Sequence, residues 1–114
     1  MIVEDDAIIG GLLAELLQAQ GHDICAIEAS ETGAVVAAGR SKPDLMIVDA
    51  RLQDGSGIRA VETINRFLNI PHIFVCFDAA PVRAIKPNSI VLQKPYFERD
   101  LVLAIRSALR LSTS

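Results

Sequence analysis

Asp49 ends the apolar run Leu45-Met46-Ile47-Val48 and opens a loop, residues 50–57, rich in Gly and polar side chains. Two more charged signals stand in the same relation to an apolar run. Glu4-Asp5-Asp6 follows Met1-Ile2-Val3, and Lys94-Pro95 follows Ile90-Val91-Leu92-Gln93. Short apolar runs bounded by turn residues read as buried parallel strands. In an open α/β sheet, ligands bind outside the carboxyl ends of the strands. Three strand ends would therefore bring two or three carboxylates and one ammonium to a single rim.

That grouping restricts the chemistry. Carboxylates crowded together repel, so one must hold a proton unless a cation relieves them. Oxygen donors with no converging His or Cys favour a hard cation, Mg²⁺ or Mn²⁺, over zinc. Such a dication, held by one or two carboxylates, keeps positions open for phosphate oxygens. An aspartate can act as a nucleophile and become an aspartyl phosphate, and Lys94 would supply a point charge to the phosphoryl group. The competing reading makes Glu4, Asp5 and Asp6 only the acidic start of a helix. Asp49 and Lys94 at two further strand ends weigh against it.

The 114 residues are the length of one domain, expected to span 1–114, and 51% apolar content allows a full core. With four Phe, one Tyr and no Trp, that core must be aliphatic. A net charge of −3 with no basic run argues against direct nucleic-acid binding. No apolar stretch approaches the roughly 20 residues of a membrane span, and no signal peptide is recognisable. A soluble, cytoplasmic protein with no membrane contact is expected. Cys25 and Cys76 lie in apolar surroundings without C-x-x-C spacing and read as reduced core thiols.

The elements that must carry the rim alternate. After the first strand, Ile8, Ile9, Leu12, Leu13, Leu16 and Leu17 recur at helical spacing, with Asp6 as N-cap and Gly21 as the stop. A second strand is expected over Ile24–Ile27, then a helix capped by Ser30 and running towards Gly39. Ser56 caps a third helix carrying Ile58, Val61, Ile64 and Leu68, ended by Pro71. His72–Phe77 is a fourth strand. Residues 78–89 show little periodicity, and Pro81 and Pro87 oppose a long helix. Ile90–Leu92 is a fifth strand, and Leu101, Val102, Ile105, Ala108 and Leu109 line a final helix. This order implies a parallel sheet covered on both faces. The first strand is unusually short, which points to a clipped strand or to residues upstream of Met1. No further domain is expected after the last helix.

With acids after strand one, Asp49 after strand three and Lys94-Pro95 after strand five, the chain resembles the receiver domain of two-component response regulators over its whole length. The resemblance implies an α/β, flavodoxin-like (βα)5 fold, a doubly wound parallel five-stranded sheet in the order 2-1-3-4-5. It makes Glu4, Asp5 and Asp49 the metal-holding acids for Mg²⁺ (or Mn²⁺), with the backbone carbonyl of Arg51 completing the shell. It makes Asp49 the phosphoacceptor and Lys94 the partner of the phosphoryl group, while Asp6 caps the helix. The implied partners are a histidine kinase or histidine phosphotransfer protein as phosphodonor in a phosphorelay, and an unidentified downstream protein. Such a receiver catalyses its own phosphorylation and dephosphorylation without being a conventional enzyme.

Three departures from the family pattern stand out. Cys76 occupies the Ser/Thr switch position, and a thiol is a poor hydrogen-bond donor. Val91 occupies the aromatic switch position and cannot swing as a Tyr does. Only 17 residues separate Cys76 from Lys94, so the fourth helix should be short or missing. The run Val91-Leu92-Gln93-Lys94-Pro95 and the pattern Leu52-x-x-Gly55-x-Gly57 are similar to an atypical group of single-domain regulators with a degenerate fourth helix. That group's Phe-Ala-Thr-Gly is replaced by Phe74-Val75-Cys76-Phe77.

Two rival functions follow. A pseudo-receiver would bind a partner protein without being phosphorylated, which Cys76 and Val91 favour and the acid cluster with Lys94 opposes. A haloacid-dehalogenase-like phosphatase also uses an aspartyl phosphate, but wants a second Asp where this chain has Arg51. His22 reads as a surface-loop residue, His72 as a strand-edge residue and Asp54 as a turn residue. Arg51 and Asp78 flank the pocket and either pair across its mouth or stay solvated.

Overall fold

The computed structural model describes residues 1–113. Strands and helices alternate in the order β1 (Ile2–Val3), α1 (Ala7–Ala19), β2 (Ile27–Glu28), α2 (Glu31–Ser41), β3 (Met46–Asp49), α3 (Gly57–Ile64), β4 (His72–Cys76), α4 (Ala79–Ile85), β5 (Ile90–Gln93) and α5 (Glu98–Thr113). All strand pairs are parallel, and the sheet order is β2-β1-β3-β4-β5. This is the expected doubly wound, flavodoxin-like arrangement, with the winding direction reversing between β1 and β3.

Successive side chains of a strand point to opposite faces, and here both faces are covered. Val3, Met46, Val48 and Phe74 pack with Ala34, Ala37, Ala38, Ala60, Val61 and Val82 from α2, α3 and α4. Ile2, Ile47, Ile73, Val75 and Leu92 pack instead with Leu13 and Leu17 of α1 and Leu101 and Ile105 of α5. The uninterrupted apolar runs in the sequence thus reflect strands buried on two sides.

The helix starts follow their caps. Asp6 Oδ1 accepts from Ile8 N at 2.9 Å and Ile9 N at 3.1 Å. Ser30 Oγ accepts from Gly33 N at 3.0 Å, and Ser56 Oγ from Arg59 N at 3.2 Å. Each such cap contributes about 1 kcal/mol. At α3 the approach is closest: a side chain on Gly57 would run into the Asp49 carbonyl, and Gly57 N donates to Ala50 O at 3.1 Å.

Several expectations need correction. Ile8, Ile9 and Leu12 are exposed, because α1 rests on the sheet through Gly10, Leu13, Ala14 and Leu17. The small residues let the helix sit close: a Cβ on Gly10 would lie 3.3 Å from Ile27 Cγ2. The second strand is Ile27–Glu28, not Ile24–Ile27, which leaves Cys25 exposed instead of in the core. Helix α3 ends at Ile64, well before Pro71, because the Asn65 side chain clasps Ile70 through its N–H (3.0 Å) and carbonyl (3.1 Å). The fourth helix is short but present. Pro81 lies in its first turn, where backbone N–H groups have no intrahelical partner to lose.

Candidate functional site

Strand register brings the charged groups level. Val3 lies opposite Val48, Asp49 opposite Val75, and Cys76 opposite Gln93. The main chain just beyond each strand is held by its neighbour: Glu4 N donates to Glu28 O (2.9 Å), Ala50 N to Val75 O (2.9 Å) and Lys94 N to Cys76 O (2.7 Å). Glu4, Asp49, Cys76 and Lys94 therefore share the carboxyl rim on which they were expected.

Lys94 Nζ donates to Asp49 Oδ2 at 3.2 Å and stands 3.7 Å from Glu4 Oε1. Carboxylate oxygens of Glu4, Asp5 and Asp49 lie within 4.8 Å of one another. Glu4 is only 5% exposed, and its Oε2 has no hydrogen-bond partner. Burial, followed by the proximity of Asp49, pushes the Glu4 carboxyl up to about 8, with Lys94 opposing the shift. Burial thus favours the protonated form of Glu4 when no cation is bound, even with Lys94 Nζ 3.7 Å from its Oε1. Burial works against the Lys94 charge, yet Asp49 and Glu4 together hold its pKa above the usual lysine value.

The donor set fits a hard dication. It consists of carboxylate oxygens, and it includes a buried oxygen that no protein donor reaches. One Asp5 oxygen is already engaged, accepting from Gln53 N at 2.7 Å. Above the cluster lies a cavity of about 860 Å³, bordered by Glu4, Asp5, Asp49, Arg51, Cys76 and Lys94. Leu52, Ile58, Pro81 and Val82 are among its apolar lining residues.

The two residues expected at switch positions, Cys76 and Val91, lie in different surroundings. Cys76 borders the cavity, and burial, with Asp78 next, pushes its thiol up, against thiolate chemistry. Val91 pairs with Phe74 and packs on the core shared with α2, α3 and α4, out of the cavity. Arg51 and Asp78 both border the cavity, but no ion pair joins them among the described residues. His22 is half-buried in the loop after α1, and His72 lies at the start of β4, its Nε2 3.0 Å from Ser89 Oγ.

Three residues near the rim, Gln93, Phe77 and Glu31, were assigned no role from the sequence. Gln93 Oε1 accepts from Ala79 N at 3.1 Å, holding the start of α4 beside the Asp78 cap. Phe77 is 76% exposed, with Lys94 Nζ 5.0 Å from its ring centre. The loop after Asp49 is held by two carboxylates that accept from its backbone, Asp5 from Gln53 N and Glu31 from Ser56 N. The Leu-Gln-Lys-Pro run was the one signal that pointed to Gln93; the other contacts are tertiary.

Comparison with known proteins agrees with this geometry. The response regulator receiver domain family matches residues 1–106. The phyllosphere-induced regulator PhyR of Methylorubrum extorquens is 31% identical over 96% of the chain and 42% of its own length. The KDP operon transcriptional regulatory protein KdpE of Escherichia coli is also 31% identical, over 96% of the chain and 50% of its own. The chain thus spans about half the length of these curated relatives. The solution structure of the Erythrobacter litoralis PhyR receiver domain superposes with a TM-score of 0.85 at 30% identity, covering 96% of this chain and 88% of that one. The crystal structure of PhyR from Brucella abortus gives 0.85 at 28% identity, covering 99% and 48%. The chain belongs to the response regulator receiver domain family of two-component systems.

Proposed function

We propose that this receiver is a phosphorylation-controlled switch in a phosphorelay, with Asp49 accepting the phosphoryl group from a histidine kinase or a histidine phosphotransfer protein. The observation that carries the reading is the Lys94–Asp49 contact inside an acid cluster with an unsatisfied buried oxygen. In the proposed step an Asp49 carboxylate oxygen attacks phosphorus in line. The P–N bond to the donor imidazole breaks, and the released imidazole takes up a proton. Glu4, Asp5 and Asp49, with the Arg51 carbonyl, would hold Mg²⁺ (or Mn²⁺), which when bound supplies positive charge towards the phosphoryl oxygens. Lys94 supplies a second positive charge from the β5 side, and the N–H groups of residues 50–53 are the available backbone donors. Hydrolysis by water would return Asp49 to its free state.

Exposed Ile9 of α1 and Phe77, both bordering the cavity, offer apolar contacts to the donor protein. PhyR from Bartonella quintana is described as an anti-anti-sigma factor, so the downstream partner is proposed to be a protein, in the cytoplasm. No helix among the described residues is long and apolar enough to cross a membrane. A thiol at the Cys76 position favours the pseudo-receiver as the second reading. Beryllofluoride with Mg²⁺ separates the two. A switch forms the adduct, with amide shifts at residues 50–53 that Asp49→Asn abolishes; a pseudo-receiver binds the metal and gives no adduct.

A further inference from the structure

We infer that Glu31, at the start of α2, is a positioning residue that sets the loop after Asp49 and, through Ser56, the place of the Arg51 carbonyl. The inference deepens the proposed reading of the site and rests on it for its functional consequence. Glu31 Oε1 accepts from Ser56 N at 2.8 Å and from Arg59 Nε at 3.2 Å. Ser56 in turn forms an antiparallel bridge with Arg51. Moving Ser56 therefore moves the peptide that carries the Arg51 carbonyl. The main chain of α2 grips the same loop, since Glu31 N donates to Asp54 O at 3.1 Å and Ser30 bridges to Asp54.

A second, independent feature supports this contact. Gly55 has φ +98°, and a Cβ built there would lie 2.5 Å from Glu31 Cβ. The loop and the Glu31 side chain are interlocked, with room for nothing larger than glycine between them. From the other side, Asp5 Oδ2 holds Gln53 N at 2.7 Å. Two carboxylates, one from the acid cluster and one from α2, thus hold the loop at Gln53 and at Ser56, the residue bridged to Arg51. Support of this outer kind typically changes metal affinity about 10–100-fold.

The test compares Glu31→Ala, Glu31→Gln, Arg59→Ala and Gly55→Ala with the wild-type chain. Amide shifts of residues 50–53 and hydrogen exchange at Ser56 N–H are read in the metal-free protein, and Mg²⁺ is then titrated. Glu31→Ala should free the Ser56 amide to exchange, shift the 50–53 amides and weaken Mg²⁺ at least about tenfold. Glu31→Gln should stay near wild type, because an amide oxygen still accepts from Ser56 N–H. Arg59→Ala should do the same, the exposed ion pair being incidental. Gly55→Ala, which wedges a methyl against Glu31, should reproduce the loop shift if Glu31→Ala folds poorly. Wild-type 50–53 shifts in Glu31→Ala and Gly55→Ala would overturn the inference. So would a Glu31→Gln variant as impaired as Glu31→Ala, since charge and not the acceptor would then matter. If the wild type binds no Mg²⁺, the proposed function fails, while the metal-free readout still decides the role of Glu31.

Discussion

Raising the pH from 7 to 9 is predicted to tighten Mg²⁺ binding to this chain about tenfold, roughly 1.4 kcal/mol. A proton on Glu4 competes with a cation for the same carboxylate, and burial, with Asp49 adding, raises the Glu4 carboxyl to about 8. With a midpoint near 8, about one molecule in ten has lost that proton at pH 7 and about nine in ten at pH 9. Binding should therefore release close to one proton at pH 7 and almost none at pH 9. Glu4→Gln, which has no proton to lose, should bind more weakly and show little pH dependence over the same range. Titration followed by Tyr96 fluorescence gives the affinities, and calorimetry in buffers of different ionisation heat gives the proton count. The folded state's carboxyl is raised from 4.5 to about 8, so the metal-free fold binds more protons than the unfolded chain in that window. Its stability should consequently fall as pH rises from 5 to 8, and Mg²⁺ should restore it. A flat affinity between pH 7 and 9, or an equal slope in Glu4→Gln, would mean that Glu4 does not hold the competing proton.

His72 is held below the usual histidine value by burial, with Lys86 adding to the effect. Stability contributed by its neutral form should be intact above about pH 6.5 and decline as pH falls below it; the difference between wild type and His72→Asn in urea melts isolates that slope from the opposite one of Glu4. Gly57→Ala drives a methyl into the Asp49 carbonyl and should destabilise by about 3 kcal/mol, the upper end for overpacking; an unchanged denaturation midpoint would mean α3 can shift freely. Cys76→Thr places a hydroxyl donor beside the cavity and should lengthen the lifetime of the modified state, read by loss of phosphoryl label with time; an unchanged lifetime would remove Cys76 from the switch.

The rim was legible because each of its charged residues ends an apolar run, and parallel strands buried on both faces leave such runs unbroken. The caps Asp6, Ser30 and Ser56 were equally plain, since capping is local chemistry. What failed was the side on which apolar residues lie. Ile8, Ile9 and Leu12 keep helical spacing yet face outward, because Gly10 and Ala14 let the opposite side of α1 approach the sheet. Cys25 read as core from its apolar neighbours, but the strand begins two residues later, at Ile27. The fourth helix was expected to be short or missing and is short, with Pro81 accommodated in its first turn. Glu31 and Gln93 act across 25 and 14 residues of chain, on backbone N–H groups. Nothing in local spacing marks a backbone donor in another loop, and such contacts become visible only once the loops are folded together.

The claim that Asp49 is a phosphoacceptor is tested most directly by intact-protein mass spectrometry after incubation with acetyl phosphate and Mg²⁺. One phosphoryl group should be added, stable in acid and labile in base, absent in Asp49→Asn and sharply reduced in Lys94→Ala. No added mass on the wild type, or the same addition on Asp49→Asn, would contradict it.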